Sequence, residues 1–370
     1  MIIRIEDLKN VSKAILSAVD GNEASTINET LELVVKNDIF SMNVTNREYY
    51  TRVTCNAPDE EDFHATVNAN LFLKLVSQIT TDTVEFFIKD NALTIKGNGV
   101  YKLPLIYDND KLLELPEITI GTVTNEFDVD SEILVGILNY NSKQLNVGVP
   151  TRAVQRMYYI DDKGAITFTT GACVNSFELP SSIKLLLTNR IVKLFKLFKG
   201  KTVHVVMGHD SQNGMTITKV KFTCDNIMIT AIVNNDDDLF NSVPVAAIRG
   251  RATASLPYSV NFSKESLLSA INRLMLFDSV GTSYSSVGIF DFGTEYVTLY
   301  DSKKENNEQI YYDNDNTGIT NNQLISLDLS DLKAVLETCN EQYVNFDFGD
   351  GQAVRISRAN VRNIIPEVHL

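Results

Sequence analysis

The segment TVEFFIKDNALTIK, residues 83–96, decides the fold class, because its pattern recurs twice further along the chain. Alternating apolar residues on each side of Asp90-Asn91 are typical of two β-strands joined by a tight turn. The later copies are TVHVV and MTITK, from Thr202 and Met215, and YVNFD and AVRIS, from Tyr343 and Ala353. Three β-hairpins of one kind are therefore predicted.

The spacing of these hairpins predicts three domains. The copies begin at residues 83, 202 and 343, and each follows helical and strand patterns in a similar order. More than one hundred residues per copy is too long for a solenoid repeat. We therefore expect an α+β fold of three repeated domains, each with two helices packed on antiparallel sheets. Linkers at 118–124 and 248–255 place the domains at 1–122, 123–253 and 254–370.

A basic island lies at Leu179–His209, which contains six Lys or Arg residues and no Asp or Glu. The whole chain carries a formal charge of -14. Within the island, a helix is predicted from Thr188 or Asn189 to Gly200, with apolar residues on one side and cations stepping by three on the other. The positive side is either a solvated lysine face or a surface for a polyanion, and the lack of interspersed Glu favours the polyanion.

Composition narrows the class of protein. No apolar run is long enough to span a membrane, and the N-terminus lacks the core of a signal peptide. The four cysteines are scattered and are expected to be reduced thiols in a cytoplasmic protein. No phosphate-binding, dinucleotide-binding, zinc-protease or nucleophile-elbow motif occurs, so neither an enzyme nor a cofactor is expected. Asp236–Asp238 is interpreted as an acidic surface loop rather than a metal site.

These features resemble the bacterial sliding clamp family, the beta subunit of DNA polymerase III. The run from Phe63 to Leu105 is similar to the family's first-domain pattern of strand, helix, hairpin and edge strand. Pro366 followed by a short tail is similar to the family's C-terminus. The resemblance covers the whole chain and implies a non-catalytic processivity factor. Two copies would form a head-to-tail ring around duplex DNA and tether the replicative polymerase.

The resemblance also implies which cations face DNA. Helices line the hole in this family, and their positive charges attract phosphates without reading sequence, which permits sliding. The residues expected to face or border DNA are Lys9, Lys13, Lys74, Lys143, Arg190, Lys193, Lys196, Lys199, Lys264, Arg273 and Lys333.

The same resemblance implies a homodimer seam. The first domain's edge strand, with Tyr101 and Leu103, would meet the third domain's first helix near Leu276 and Phe277. Pairing across a seam would remove an exposed strand edge. The alternative for all four residues is ordinary packing in the core of one chain.

A partner-peptide groove is the third site that the resemblance implies. In the family it accepts short peptide motifs from polymerases and the clamp loader, and a few apolar anchors carry the affinity. The alternative for the tail is a last strand that only completes a sheet. The matching positions are Val154, Thr169, Gly171, Val174, Phe240, Pro244, Ile364, Ile365, Pro366, Val368 and Leu370.

Three departures from the family pattern stand out. The segment Gly171–Asn175 lacks the polar-basic residues often found there, and the loop Asp20–Glu29 is acidic and lacks an arginine. The tail after Pro366 is one residue longer. These departures favour a clamp that serves its own replication system, either accessory or virus-encoded. The rival class is a three-domain β-rich scaffold or virion protein, which would not explain the cations placed on helices.

Overall fold

The protein is described by a computed structural model that covers residues 1–20, 25–58, 60–147, 150–198, 200–212, 215–233, 237–278, 286–314 and 317–368. Among the helices of these residues, none is long and apolar enough to cross a membrane. The strands in chain order are β1 (Ile2–Arg4), β2 (Thr30–Lys36), β3 (Ile39–Thr45), β4 (Tyr49–Asn56), β5 (Phe63–Asn68), β6 (Thr83–Lys89), β7 (Ala92–Lys96), β8 (Val100–Pro104), β9 (Tyr107–Asp108), β10 (Lys111–Leu112), β11 (Thr122–Asp130), β12 (Met157–Asp161), β13 (Gly164–Phe168), β14 (Ala172–Ser176), β15 (Lys184–Thr188), β16 (Thr202–Gln212), β17 (Met215–Cys224), β18 (Ile227–Val233), β19 (Tyr258–Ser263), β20 (Val287–Phe292), β21 (Tyr296–Tyr300), β22 (Asn307–Tyr311), β23 (Gln323–Asp328), β24 (Tyr343–Phe348), β25 (Val354–Arg358) and β26 (Val361–Ile365).

The helical segments of the described residues are of several types. Five of them are 3-10 turns, at Leu16–Ala18, Thr26–Glu29, Ser142–Asn146, Ala153–Arg156 and Lys193–Phe198, and one π-turn covers Ile137–Asn141. The α-helices are α1 (Ile5–Ile15), α2 (Ala69–Gln78), α3 (Ser131–Gly136), α4 (Asn189–Val192), α5 (Asp237–Asn241), α6 (Val245–Thr253), α7 (Lys264–Asp278) and α8 (Leu329–Leu336).

The chain forms two compact units. Unit 1 consists of Met1–Val135 and Arg190–Asn235, and unit 2 consists of Gly136–Asn189 and Asp236–Leu370. In unit 1 an antiparallel sheet of order β11-β16-β17-β18-β4-β3-β2-β5 accompanies a smaller sheet, β1-β6-β7-β8. In unit 2 the larger sheet has the order β15-β12-β13-β14-β26-β25-β24-β19, and the smaller has the order β22-β21-β20-β23. The α+β class and the antiparallel sheets predicted from the sequence are confirmed.

Strand pairing confirms the three predicted hairpins, which are β6–β7, β16–β17 and β24–β25. The same four-strand order recurs as β1-β6-β7-β8, β11-β16-β17-β18 and β19-β24-β25-β26. A second order recurs as β5-β2-β3-β4, β15-β12-β13-β14 and β23-β20-β21-β22. Each sequence repeat therefore contributes two four-stranded sheets.

Two junctions join these four-stranded sheets into eight-stranded ones. Ile227 of β18 pairs with Val53 of β4 in unit 1, and Ala172 of β14 pairs with Ile364 of β26 in unit 2. The middle repeat thus gives one sheet to each unit, which explains why compact units number two although the repeats number three. Strand pairing joins residues on opposite sides of each predicted domain boundary, β4 with β18 and β14 with β26, so the three-domain division stays a prediction.

Helices cover the sheets because their apolar faces need a core. In unit 1, α1 packs against β3, β4 and α2 and buries Leu8, Val11 and Ile15. In unit 2, the aromatic residues Phe262 and Phe346 lie under α7 and α8, with ring centroids 5.1 Å apart. The second predicted linker, 248–255, is largely helical, since α6 ends at Thr253.

The connection between the first two repeats is fastened to unit 1 through Glu32. One carboxylate oxygen of Glu32 accepts the Leu115 N–H at 3.2 Å and contacts His64 Nε2 at 3.1 Å, and the other accepts Asn43 Nδ2 at 2.8 Å. Burial alone would raise the pKa of Glu32, but these hydrogen bonds outweigh it and lower that pKa. The hydrogen bond with Glu32 raises the pKa of His64.

Replacing His64 with Gln should therefore lower the free energy of unfolding more at pH 6 than at pH 9. Because the folded pKa of His64 is raised, its stabilisation is complete below the unfolded value of 6.5 and is lost as pH rises through the folded value. We expect a loss of about 1 kcal/mol at pH 6, measured by urea unfolding. Glu32→Gln is the control and should destabilise at both values, because Glu32 is ionised at both. Equal losses for His64→Gln at the two pH values would contradict this.

Candidate nucleic-acid interface and partner groove

Helices α1 and α2 of unit 1 bring three predicted lysines together. Both helices are amphipathic, and Asn68 caps α2 by accepting the Leu71 N–H at 3.0 Å. The two helices pack against each other, and a groove of about 420 Å³ lies between them. Lys9, Lys13 and Lys74 line this groove together with apolar side chains. The sequence predicted these lysines on separate helices, and the fold makes them neighbours.

The predicted basic helix is present in a modified form. It begins as α4 and continues as a 3-10 turn, Lys193–Phe198, before Gly200, whose φ of 75° ends it. A 3-10 turn has three residues per turn, so side chains three apart align. Phe195 and Phe198 are therefore both buried against the aromatic ring of Phe222. Lys193 and Lys196 are both exposed on the opposite side.

The 3-10 turn adjoins the helix pair, because it contacts the turn Leu16–Ala18 that continues α1. Unit 1 thus carries a group of lysines from three helical segments that form no ion pair within the described ranges. We call these five residues the lysine surface: Lys9, Lys13, Lys74, Lys193 and Lys196. Lys199 lies outside the described residues.

Arg190 differs from these lysines because acidic side chains hold it. Its guanidinium contacts Asp20 at 3.3 Å and Glu48 at 3.2 Å. Two carboxylates beside one guanidinium cancel its long-range attraction for another anion. Arg190 therefore fastens the start of the basic segment to unit 1, a role that periodicity could not reveal.

The predicted cations of unit 2 are mostly engaged within the chain. Lys143 lies 3.6 Å from Glu337, and Lys264 donates to the Cys339 carbonyl at 2.8 Å. Arg273 binds both oxygens of Glu308, at 2.6 and 2.5 Å, which lowers the pKa of that carboxyl. Lys333 is half-buried on α8 and forms no ion pair in the part of the chain that the structure describes. Among the cations predicted to face DNA, those without a carboxylate partner in the described residues are therefore mostly in unit 1.

Three of the predicted groove residues, Val174, Ile364 and Ile365, lie on strands of the larger sheet of unit 2, and the others lie on neighbouring helices, turns and the tail. Val154, Val174 and Ile364 are buried in one apolar cluster, and Phe240 packs against it half-buried. Thr169 and Ile365 are also buried, whereas Pro244 is exposed.

The C-terminal tail leaves the sheet after Ile365, where β26 ends. Ile364 and Ile365 belong to β26, which lies between β14 and β25 in the sheet, while Pro366 and Val368 follow it half-buried. The Val368 N–H donates to the Ser326 carbonyl at 2.8 Å. Pro366 and Ile364 line an open basin of about 390 Å³. Leu370 lies outside the described residues.

Gly171 has a steric role at the junction of β14 with β26. A Cβ at this position would lie 2.4 Å from the Ile364 carbonyl oxygen and 3.3 Å from Pro366. Only glycine lets the final strand approach this closely.

Replacing Gly171 with Ala should therefore lower the free energy of unfolding by about 1–3 kcal/mol, measured by denaturant titration. Gly250→Ala is the matched control, because no atom lies within 4 Å of a Cβ there and Gly250 sits within α6. The control should be neutral or stabilising, since Ala favours helix. A Gly171→Ala variant as stable as the control would refute the steric role.

The four predicted seam residues separate into two kinds. Leu103 is only 4% exposed and Tyr101 is half-buried, so Leu103 belongs to the core of its own sheet. Leu276 and Phe277, near the end of α7, are 69% and 57% exposed. Two adjacent apolar side chains with this exposure are typical of an interaction surface.

The fold is that of known DNA clamp structures. Over 100% of this chain, the DNA polymerase III subunit beta from Pseudomonas aeruginosa matches with a TM-score of 0.77 at 14% identity, covering 100% of that chain. The subunit beta from Borrelia burgdorferi matches with a TM-score of 0.78 at 15% identity, and the DNA polymerase sliding clamp from Bacillus subtilis with 0.79 at 14%. Both matches cover 100% of this chain, and 99% and 98% of those chains. No protein-family model matches the sequence, and no curated protein is similar to it at the sequence level.

Proposed function

We propose that this protein is a DNA sliding clamp, a non-catalytic processivity factor that encircles duplex DNA and tethers a replicative polymerase. The observation that carries the proposal is the lysine surface, five cations on helical segments of unit 1 that form no ion pair with any described residue, in a chain of formal charge -14. Nonspecific attraction of phosphates needs such cations and no base-reading contacts. The full-length likeness in fold to clamp structures agrees with this role.

Two copies would close around DNA as a head-to-tail homodimer. Within the chain, the edge of one four-stranded sheet twice pairs with the edge of another, β4 with β18 and β14 with β26. By the same order, β22 and β8 are the next such edges, and each ends its own sheet. Pairing β22 of one copy with β8 of its partner would repeat the junction and cover two strand edges. Leu276 and Phe277 would then lose their exposure to water.

The proposed partners besides DNA are the polymerase and a clamp loader, bound through short peptides near Ile364 and Pro366. Apolar side chains with a few polar neighbours suit peptide anchors. The missing basic residues at Gly171–Asn175 favour partners encoded by a dedicated replication system. Such a protein would act in the cytoplasm.

Topology of the DNA tests the proposal directly. Light scattering should give the mass of a dimer, and protein loaded on a circular plasmid should stay bound until the plasmid is cut. Escape from linear ends but not from circles requires encirclement. A monomer, or equal loss from circular and linear DNA, would reject the clamp function and favour a scaffold.

A further inference from the structure

Unit 2 contains a basin of about 810 Å³ on its larger sheet, which borders the apolar cluster of the proposed groove at Val174 and Ala252. Strands β14, β26, β25 and β24 form its floor, and α6 borders it. Residues opposite each other on neighbouring antiparallel strands share a face. Two rows of side chains therefore cross the floor, namely Val174, Arg362, Ser357 and Asn345 in one row, and Ala172, Ile364, Arg355 and Asp347 in the next.

Two arginines of this basin are held rigidly by the protein itself. Arg355 donates to Asp347 at 3.0 Å and to the carbonyls of Ala252 and Ala254 at 3.2 and 2.6 Å. Arg249 binds both oxygens of Asp161 at 2.9 and 2.6 Å. Because Asp347 and Asp161 neutralise these two charges, Arg355 and Arg249 form part of the wall of the basin and contribute little to the attraction of an anionic ligand.

Three other cations in or beside the basin form no ion pair with a carboxylate among the described residues. Arg362 donates through Nη1 to the carbonyls of Arg358, Ala359 and Val361, whereas its Nε and Nη2 have no partner among the described residues. Lys163, at the rim, is exposed and forms no ion pair within those ranges. Arg251 is similarly unpaired there and lines the adjoining basin of about 390 Å³. A concave, cationic surface on a strongly acidic protein points to an anionic ligand.

The chemistry of the lining favours a peptide over a nucleic acid. Single strands are held by stacking of bases on aromatic side chains, and no aromatic residue lines either basin. Hydroxyl and amide side chains line the larger basin instead, which suits the backbone and carboxylates of a peptide. Arg355 lines both basins, and the smaller one also contains Ile364 and Pro366. The cationic basin is therefore continuous with the proposed partner groove.

We propose that this basin binds the acidic flank of a partner peptide whose apolar anchor lies at Ile364 and Pro366. Carboxylates of the flank accept hydrogen bonds from Arg362 and attract Lys163. The inference rests on the proposed partner groove and adds the chemistry of its ligand, a run of Glu or Asp beside an apolar anchor. The cations that the segment Gly171–Asn175 lacks are thus supplied by β26, by the turn between β12 and β13, and by α6.

Unit 1 provides an internal contrast. A basin of about 620 Å³ on its larger sheet is lined by Glu32, Glu114 and Glu117, with Lys36 at its rim. Arg52 and His64 also line this basin and contact Glu117 and Glu32, so the basin has no excess of positive charge to attract an acidic peptide. We therefore expect an acidic peptide to bind the basin of unit 2 and not that of unit 1. Lys36, which lines the basin of unit 1, is a matched control for Lys163.

Fluorescence anisotropy with three labelled peptides tests the inference. The first has a Leu-Phe anchor and four Glu residues, the second replaces these with Gln, and the third keeps Glu but has Ala in place of the anchor. We expect the first to bind about tenfold more tightly than the second and third at low salt, with the Glu preference shrinking as salt rises. Lys163→Gln and Arg362→Gln should each reduce the Glu preference about threefold, and Lys36→Gln should leave it unchanged.

Several outcomes would overturn the proposal. Equal binding of the Glu and Gln peptides would do so, as would undiminished Glu preference in Lys163→Gln, an exposed site where folding is not at risk. Binding of a single-stranded oligonucleotide, lost in Arg362→Gln while the Glu peptide does not bind, would assign the basin to nucleic acid. The plasmid experiment tests the clamp proposal separately. If the unsubstituted protein does not stay on a circular plasmid, the clamp proposal fails, whatever the peptides do.

Discussion

Replacing the five residues of the lysine surface with Gln should abolish loading onto circular DNA at physiological salt, and retention with it, because a ring that has not been loaded is not linked to the DNA. Each phosphate contact that is lost removes about 0.9 from the slope of log affinity against log salt, so the slope should fall by about 4.5. Stimulation of a polymerase on a primed circle should disappear with retention. The measurements are plasmid retention after gel filtration and DNA affinity over a series of salt concentrations.

We expect the loss of DNA affinity to be large because carboxylates neutralise several of the other cations that were predicted to face DNA. Arg190 is held by Asp20 and Glu48, and Arg273 is held by Glu308. Opposite charges at these distances leave little field for a distant phosphate. We therefore expect Arg273→Gln to change the salt slope by much less than any single change within the lysine surface.

A charge-matched variant is the control. Gln at Lys36, Lys89, Lys111, Lys184 and Lys221 removes the same charge from β-strands. This variant should keep both retention and polymerase stimulation, because electrostatic attraction to DNA depends on where the cations lie. If the two five-site variants lost retention equally, net charge rather than the lysine surface would be responsible.

Introducing Asp at both Leu276 and Phe277 should convert the dimer into a monomer and abolish retention on circular DNA. Buried apolar side chains at the centre of an interface commonly contribute 2 kcal/mol or more each, and a buried unpaired carboxylate adds a further cost. A combined loss of about 4 kcal/mol or more would weaken association by about a thousandfold. Light scattering across a dilution series measures the effect.

The thermal stability of the single chain separates this result from misfolding. Leu276 and Phe277 are exposed within one chain. The double Asp variant should therefore unfold at the same temperature as the unsubstituted protein that has been diluted until it is a monomer. Leu103→Asp should instead lower that temperature, since Leu103 is buried. Val123→Asp with Ile39→Asp alters two other exposed apolar residues and should stay dimeric. A dimeric Leu276 and Phe277 variant would refute the proposed seam.

The sequence by itself determined the class of fold and its repetition. Alternation in TVEFF, TVHVV and YVNFD places every second side chain in a core, and this local rule specifies the hairpins whatever surrounds them. Helical periodicity likewise placed Lys9, Lys13 and Lys74 on the outer faces of α1 and α2. Strand alternation and helical periodicity both agree with the structure, because the hydrophobic effect acts on each strand and each helix separately.

Only the tertiary structure decided which cations are available and which sheet edges remain open. Arg190 and Lys193 belong to one periodic stripe, yet Asp20 and Glu48 neutralise only Arg190, from positions more than a hundred residues away in sequence. The cationic basin around Arg362 also arises from strand pairing between β14, β25 and β26, which no local pattern encodes. Charge pairing and register depend on distances across the fold, and periodicity contains no information about those distances.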